Sequence, residues 1–300
     1  MMKSRLLYTT GNKIFEETIW KVPKLSSNQI LVKSVMTGIC RSDVDMMVGD
    51  FGPLPLHMQG HEGLGIVEKC GSDINDVKVG DYVATRGEPA YSDFYPCRYG
   101  EYVKVPKLEP KYILEPVACG INIITQPLSN SPSHFNGSSN VLIIGSGFMA
   151  WVAYHTLRIK KPYLKIDVVG RNNHSLWGDR LSSEMPTDTK YNVVIDLSDR
   201  DNVVNLDIFD TGALLVFGNQ KQISTNFSNL LWNACTITFP SPRNQLFHKA
   251  MQLAESYITS EKIIIDDFWT NSYNRNTQWQ EAFHDSLNRP PKFNRAYLVW

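Results

Sequence analysis

The sequence lacks a CxxC pair, a lysine- or arginine-rich block, any excess of charge of one sign, and any long apolar run. Each absence excludes something. Its five cysteines, Cys40, Cys70, Cys97, Cys119 and Cys235, are odd in number and widely scattered, whereas a disulfide framework uses an even set in a short secreted chain. Without CxxC, the usual signature of a structural zinc knuckle is missing, so any metal must be held by residues far apart in the sequence. Lys and Arg total 30 against 30 Asp and Glu; that balance argues against nucleic acid or an acidic membrane face as the main partner. No apolar stretch approaches the roughly 20 residues that span a bilayer, so no membrane partner is expected. The start, Met1-Met2-Lys3-Ser4-Arg5-Leu6-Leu7-Tyr8, soon turns polar at Thr9-Thr10-Gly11-Asn12 and does not read as a secretory signal. A cytoplasmic location is the expectation.

What is present is 300 residues of ordinary globular composition, enough for two domains with separate cores. Up to about Pro106 the chain reads as short strands punctuated by turns, with candidates at Ile30–Val35, Gly65–Lys69, Tyr82–Ala84 and Glu101–Val105. That spacing predicts an all-β, barrel-like module. Glu115–Leu128 has helical spacing and leads out of it, and the polar stretch Ser129–Asn140 reads as a linker or turn. The pattern then changes. Val141–Ile144 is continuously apolar, as in a strand buried on both faces, and Phe148–Ile159 follows as a helix. Further strands are predicted at Lys165–Val169, Asn192–Leu197, Ala213–Gly218 and Ala234–Phe239, and strands alternating with helices predict a doubly wound parallel sheet. A helix at Asn244–Ile258, a strand at Ile263–Ile265, a helix at Gln278–Asn288 and a strand at Ala296–Trp300 complete the chain. Arg171–Lys190 has little helical periodicity, so the second crossover is expected to be short.

Gly145-Ser146-Gly147-Phe148-Met149-Ala150 fits GxGxxA between a buried strand and a helix. In such a turn the first glycine permits the bend and the second lets backbone approach a pyrophosphate. The small third residue lets helix pack on strand, while the helix N-terminus offers free N–H groups to phosphate. Dinucleotide binding by Gly145, Ser146, Gly147, Phe148 and Met149 is therefore expected. About 20 residues further on, where an acidic side chain would hold the ribose hydroxyls, stand Gly170, Arg171 and Asn172. Arginine can pair with a 2′-phosphate, so either NADP or NAD fits the turn and NADP is favoured.

A second block is Gly38-Ile39-Cys40-Arg41-Ser42-Asp43, followed by Gly60-His61-Glu62-Gly63-Leu64-Gly65-Ile66-Val67. A catalytic zinc takes three or four S, N or O ligands and keeps a position open. Cys40 offers thiolate, His61 imidazole, and Glu62 or Glu115 carboxylate. Gly60-His61-Glu62 with Gly65, Gly71 and Ile74 satisfies the pattern GHExxGx5[GA]xx[IVSAC]. With Gly80-Asp81-Tyr82-Val83 and Glu115-Pro116-Val117-Ala118, the chain resembles the zinc-containing medium-chain alcohol and polyol dehydrogenases along essentially its whole length.

The resemblance implies an α/β chain made of a GroES-like β-barrel catalytic domain plus a Rossmann cofactor domain. Residues 1–125, completed by 267–300, would form the first, and 126–266 the second. It implies Cys40 and His61 as zinc ligands, with Glu62 or Glu115 completing the set and the choice open. Asp43 would fix the His61 tautomer, Ser42 would hold the substrate hydroxyl and start a proton relay, and Arg41 would meet a cofactor phosphate. Asp45 stands where the family often has a histidine at the outer end of that relay. Ala84–Tyr99 holds only Cys97, where the family usually carries four cysteines, so one catalytic zinc and no structural zinc is expected. His57 reads as a loop residue, and the Tyr91, Phe94, Tyr95, Tyr99 cluster as core or interface. The implied reaction is hydride transfer between a secondary alcohol, polyol or sugar and a nicotinamide cofactor. A primary-alcohol or aldehyde reductase, or a non-catalytic dinucleotide-binding protein on the same fold, are the alternatives. A homo-oligomer, dimer or tetramer, would be usual for such relatives.

Overall fold

The ten-residue run Gln29–Gly38, with Ile30-Leu31-Val32 near its start, becomes the spine of a sheet. In the computed structural model, which describes residues 2–50, 59–198, 200, 202–218 and 227–300, contacts divide the chain into two compact units. One is Met1–Val117 with Met251–Trp300; the other is Ala118–Ala250. Both divisions fall inside helices.

In the first unit, β1 (Lys3–Tyr8) and β2 (Glu16–Lys21) form an antiparallel hairpin. Next come β3 (Gln29–Gly38), α1 (Arg41–Val48), β4 (Glu62–Cys70), β5 (Tyr82–Thr85), β6 (Phe94–Arg98) and β7 (Tyr102–Lys104). The helix α2 (Glu115–Asn130) begins in this unit and ends in the other. From the C-terminal part, β14 (Trp269–Asn274), α7 (Trp279–Asn288) and β15 (Arg295–Val299) return to it. The sheet order is β14–β15–β3–β4–β5–β7, with β6 also paired to β3. Strand β3 is central because alternate residues Ile30 and Val32 are fully buried in a cluster with Val67, Val83, Tyr95 and Tyr102. A second cluster, Leu6, Leu7, Phe15, Val44, Met47, Tyr91 and Phe283, packs the hairpin, α1 and α7 together. Phe15 stacks on Phe283 at 3.6 Å between centroids.

The second unit holds β8 (Asn140–Ile144), α3 (Phe148–Lys160), β9 (Lys165–Val169), α4 (His174–Trp177), β10 (Leu181–Ser182), β11 (Tyr191–Asp196), β12 (Phe209–Phe217), α5 (Ser228–Trp232) and β13 (Thr236–Thr238). The helix α6 (Phe247–Thr259) runs from this unit into the first. All strand pairs here are parallel, in the order β10–β9–β8–β11–β12–β13. Strand order reverses direction between β8 and β11, the point at which ligands bind beyond the carboxyl ends of a doubly wound sheet. The unbroken apolar run of β8 has a direct structural cause: Val141 and Ile143 enter the core on one face, Leu142 and Ile144 the core on the other. No helix among the described residues is long and apolar enough to cross a membrane.

Several expectations are corrected. Ile263–Ile265 is not a strand; Ile263 and Ile265 are buried, and the strand begins after Asp266-Asp267 as β14. Ser129–Asn140 does not link the units. α2 extends to Asn130, and Phe135 is buried in the second unit's core. Arg41–Val48, for which no element was expected, is a helix whose Val44, Met46 and Met47 are buried. The second crossover is indeed short, with a four-residue α4 and a fully buried Trp177 in place of a full helix.

Candidate functional site

Two places carry the chemistry-bearing residues, one in each unit. In the first unit, β3 ends at Gly38 and the chain turns into α1, so Cys40 stands at the helix start. The backbone N–H of Cys40 donates to Asp43 Oδ2 at 3.0 Å, which locks that turn. Across the ladder Gly38 faces Glu62. A Cβ at Gly38 would lie 2.1 Å from Glu62 Oε2, so glycine makes the room the carboxylate occupies. His61 immediately precedes β4, and ligand atoms of Cys40, His61 and Glu62 all lie within 4.8 Å of one another. Cys40 and His61 are half-buried and Glu62 is buried.

The surroundings explain how such a charged group is held. Arg295 Nη2, on β15, donates to both Glu62 oxygens at 2.6 and 2.5 Å, and its guanidinium lies 4.9 Å from the Trp269 ring. Arg86, just after β5, stands 4.0 Å from Glu115 and 3.6 Å from Glu88. Tyr91 O–H donates to Asp43 Oδ2 at 2.7 Å. The other oxygen, Asp43 Oδ1, is buried without a hydrogen-bond partner and lies 3.7 Å from His61 Nδ1. Burial, reinforced by Glu62, pushes the Cys40 thiol up. Burial opposes charge on His61 too, yet Asp43, Glu115 and Cys40 hold its pKa well above the ordinary histidine value. Burial also raises Asp43, against the opposing pull of His61 and Tyr91.

The donor set fits a zinc ion. It offers one sulfur, one imidazole and one carboxylate, the mixed set of a catalytic site. The orphaned Asp43 oxygen is placed to accept from His61 Nδ1–H, the arrangement that fixes a ligating histidine's tautomer. Of the two carboxylates whose role is open in the sequence, Glu62 belongs to the three-residue group and Glu115 does not. Ser42 is half-buried on the first turn of α1. Arg41 and Asp45, expected at a phosphate and at the end of a relay, are paired to each other at 2.6 Å. His57 lies outside the described residues. Tyr91, Arg86 and Arg295 are the residues that sequence reasoning missed; none stands at a recognisable spacing from Cys40 or His61.

In the second unit, Gly145-Ser146-Gly147 joins β8 to α3 at the reversal point of the sheet. Gly145 has φ +129°, a backbone that side chains rarely adopt. A Cβ at Gly147 would meet nothing within 4 Å, so the turn is open there. Phe148 is buried under the turn, and Met149 packs against the core. Gly170 follows β9 directly, and Arg171 and Asn172 are exposed beyond it. This turn fits a dinucleotide: an open main-chain bend, a helix start and a basic side chain at the end of the neighbouring strand.

Residues 26–112 match the alcohol dehydrogenase GroES-like domain. Among curated proteins, an NAD-dependent alcohol dehydrogenase of Sulfurisphaera tokodaii is 33% identical over 110 residues, 33% of this chain and 31% of that protein. Sorbitol dehydrogenase of Mus musculus is 36% identical over 94 residues, covering 30% of this chain and 26% of that protein. The chain thus spans about a third or less of either relative. S. aureus TarJ, in a crystal structure of its complex with NADPH, superposes with a TM-score of 0.78 at 17% identity, over 100% of this chain and 99% of that one. At that identity the superposition speaks for the fold alone.

Proposed function

We propose that this chain, whose residues 26–112 match the alcohol dehydrogenase GroES-like domain and which is similar over about a third of its length to alcohol and sorbitol dehydrogenases, is a zinc-dependent oxidoreductase of the medium-chain alcohol and polyol dehydrogenase type. It would move a hydride between a secondary alcohol, polyol or sugar and a nicotinamide cofactor, NADP in preference to NAD. The observation that carries this reading is the convergence of Cys40, His61 and Glu62, with the unpartnered Asp43 oxygen behind His61. The polyol lean is supported by carboxylates at Glu62 and Glu115 and by the likeness to a sorbitol dehydrogenase.

Cys40, His61 and Glu62 would hold the zinc, which would supply Lewis acidity to a substrate hydroxyl, while the bound nicotinamide would supply or accept the hydride. Asp43 Oδ1, 3.7 Å from His61 Nδ1, would orient that ring when the metal is bound, and Tyr91 holds Asp43 through its other oxygen. Arg295 holds Glu62 in place through hydrogen bonds to both of its oxygens. Ser42, on the first turn of α1, is the hydroxyl positioned to pass the substrate proton outward. Asp45 is less suited to receive it, because Arg41 already occupies that carboxylate. In the second unit, the turn 145–149 would take the pyrophosphate, and Arg171 favours a 2′-phosphate.

The test is metal analysis together with turnover on a panel of polyols, sugars and simple alcohols with both cofactors. Cys40→Ala should lose zinc and reduce turnover at least about a hundredfold, since removing one ligand collapses the Lewis-acid site. Persistence of both zinc and turnover in that variant would sink the assignment.

A further inference from the structure

The short crossover after β9 does more than join strands. Ser146, the middle residue of the phosphate turn, is gripped from several sides by residues 170–177. Its carbonyl accepts from Trp177 Nε1 at 3.0 Å and from Asn173 Nδ2 at 2.9 Å. Its hydroxyl oxygen accepts from the Asn172 backbone N–H at 3.1 Å. A Cβ at Gly170 would lie 2.4 Å from the Ser146 side chain, so the two strands' ends touch there.

We propose that Trp177 and Asn173 are positioning residues for the dinucleotide, holding the Ser146–Gly147 peptide in the orientation that presents the Gly147 N–H to phosphate. The inference rests on the dinucleotide reading above. In a planar trans peptide the C=O and N–H point in opposite directions. Two donors that pull the Ser146 carbonyl inward therefore turn the Gly147 N–H outward, toward the open side of the turn. The burial pattern agrees: Ser146 is 6% exposed, whereas Gly147 is exposed. Neither donor is free to drift. Trp177 is fully buried and packs edge-on against Trp151 and Tyr154 at 5.0 and 5.4 Å, and the indole N–H is its only donor. Asn173 sits at φ +63°, a left-handed backbone that asparagine tolerates better than most residues. This brace takes the place of a full crossover helix, so the turn is set before any ligand arrives and less ordering is needed on binding.

The test uses Asn173→Gly and Trp177→Phe, with NADPH and NADH as probes. Asn173→Gly keeps the left-handed backbone and removes the side-chain donor. Trp177→Phe keeps an aromatic ring in the core and removes the N–H. Binding is read by fluorescence titration, and kinetics as the split between cofactor KM and kcat. Each variant should weaken NADPH binding about fivefold, the effect of one lost hydrogen bond, with the loss falling on cofactor KM rather than kcat. Wild-type affinity in both variants would overturn the proposal. If Trp177→Phe fails to fold, Asn173→Gly, whose side chain lies outside the core clusters, decides alone: a weaker Kd supports the brace and an unchanged Kd overturns it. Failure of the unaltered protein to bind either dinucleotide would instead remove the reading beneath the proposal, and the titration of the parent chain shows which has failed.

Discussion

At the scale of single residues, the candidate centre is held together by side chains that carry opposite charge at close range. Tyr91 is fully buried and spends its O–H on Asp43, so Tyr91→Phe leaves Asp43 with one donor fewer. Groups that hold a ligating side chain directly change metal affinity by about 10- to 100-fold; Tyr91 would act one step further out, through Asp43. The expected outcome is a zinc affinity weaker by up to about tenfold, measured by competition with a chelator, while the folded content by circular dichroism stays constant. Cys40, His61 and Glu62 were legible because they stand in glycine-flanked turns at the fixed spacings of a long pattern. Tyr91, Arg86 and Arg295 were not, because each arrives from a different strand or turn and only the sheet register brings it there. Arg41 and Asp45 are paired to each other in a way the sequence reading did not anticipate. Their i, i+4 spacing on a helix already favours mutual pairing, but the helix itself had not been recognised.

Elements were legible where burial leaves a periodic trace. The two-sided core around β8 forces an unbroken apolar run, and the run announces the strand. β1, β2 and β6 left no such trace. β2 alternates half-buried and exposed residues, and β6 interrupts its pattern with Pro96 on a strand pairing with β3. Helix α3 supports a prediction about pH. Burial, with a smaller contribution from Arg180, pushes His155 down to about 4, and its ring lies against Trp151 and Tyr154 at 4.5 and 5.3 Å. The unfolded chain takes up a proton near the ordinary value of about 6.5, while the folded chain resists it. The neutral imidazole's contribution is therefore fully present above that value and is lost as pH falls toward 4. Allowing for partial exposure, the loss is about 2 kcal/mol. Urea denaturation of the wild type and His155→Gln at pH 7.5, 6 and 4.5 should show a shallower decline in the variant. Parallel declines would mean that this ring does not titrate as its surroundings require.

At the scale of the whole molecule, fold class was readable because the two halves obey different rules, period-two strands and Gly, Pro and Asp turns first, then buried runs separated by helices. The exact points of division were not, since α2 and α6 each belong to both units and a continuous helix carries no mark of a boundary. The balance of 30 basic and 30 acidic residues, with an isoelectric point near 7.0, has its own consequence. A chain with no net charge has little self-repulsion to keep copies apart. Solubility should pass through its minimum close to pH 7 and rise on either side by pH 6 and pH 8.5, as measured by precipitation with polyethylene glycol. A flat profile would show that local patches govern association.

The pairing of Arg295 with Glu62 joins positions 233 residues apart, and that distance has a meaning in time as well as space. A ribosome adds roughly 5–20 residues per second, so Glu62 waits on the order of ten to fifty seconds for its counter-charge to be made. Throughout that interval β15 is missing from beside Met36–Gly38, and that end of β3, beyond the part paired with β6, stays open. The centre cannot take its final form until Arg295 has been made. Any metal captured earlier would meet a Glu62 carboxylate that the guanidinium has not yet anchored, and closing the last strand is the event that would finish the site.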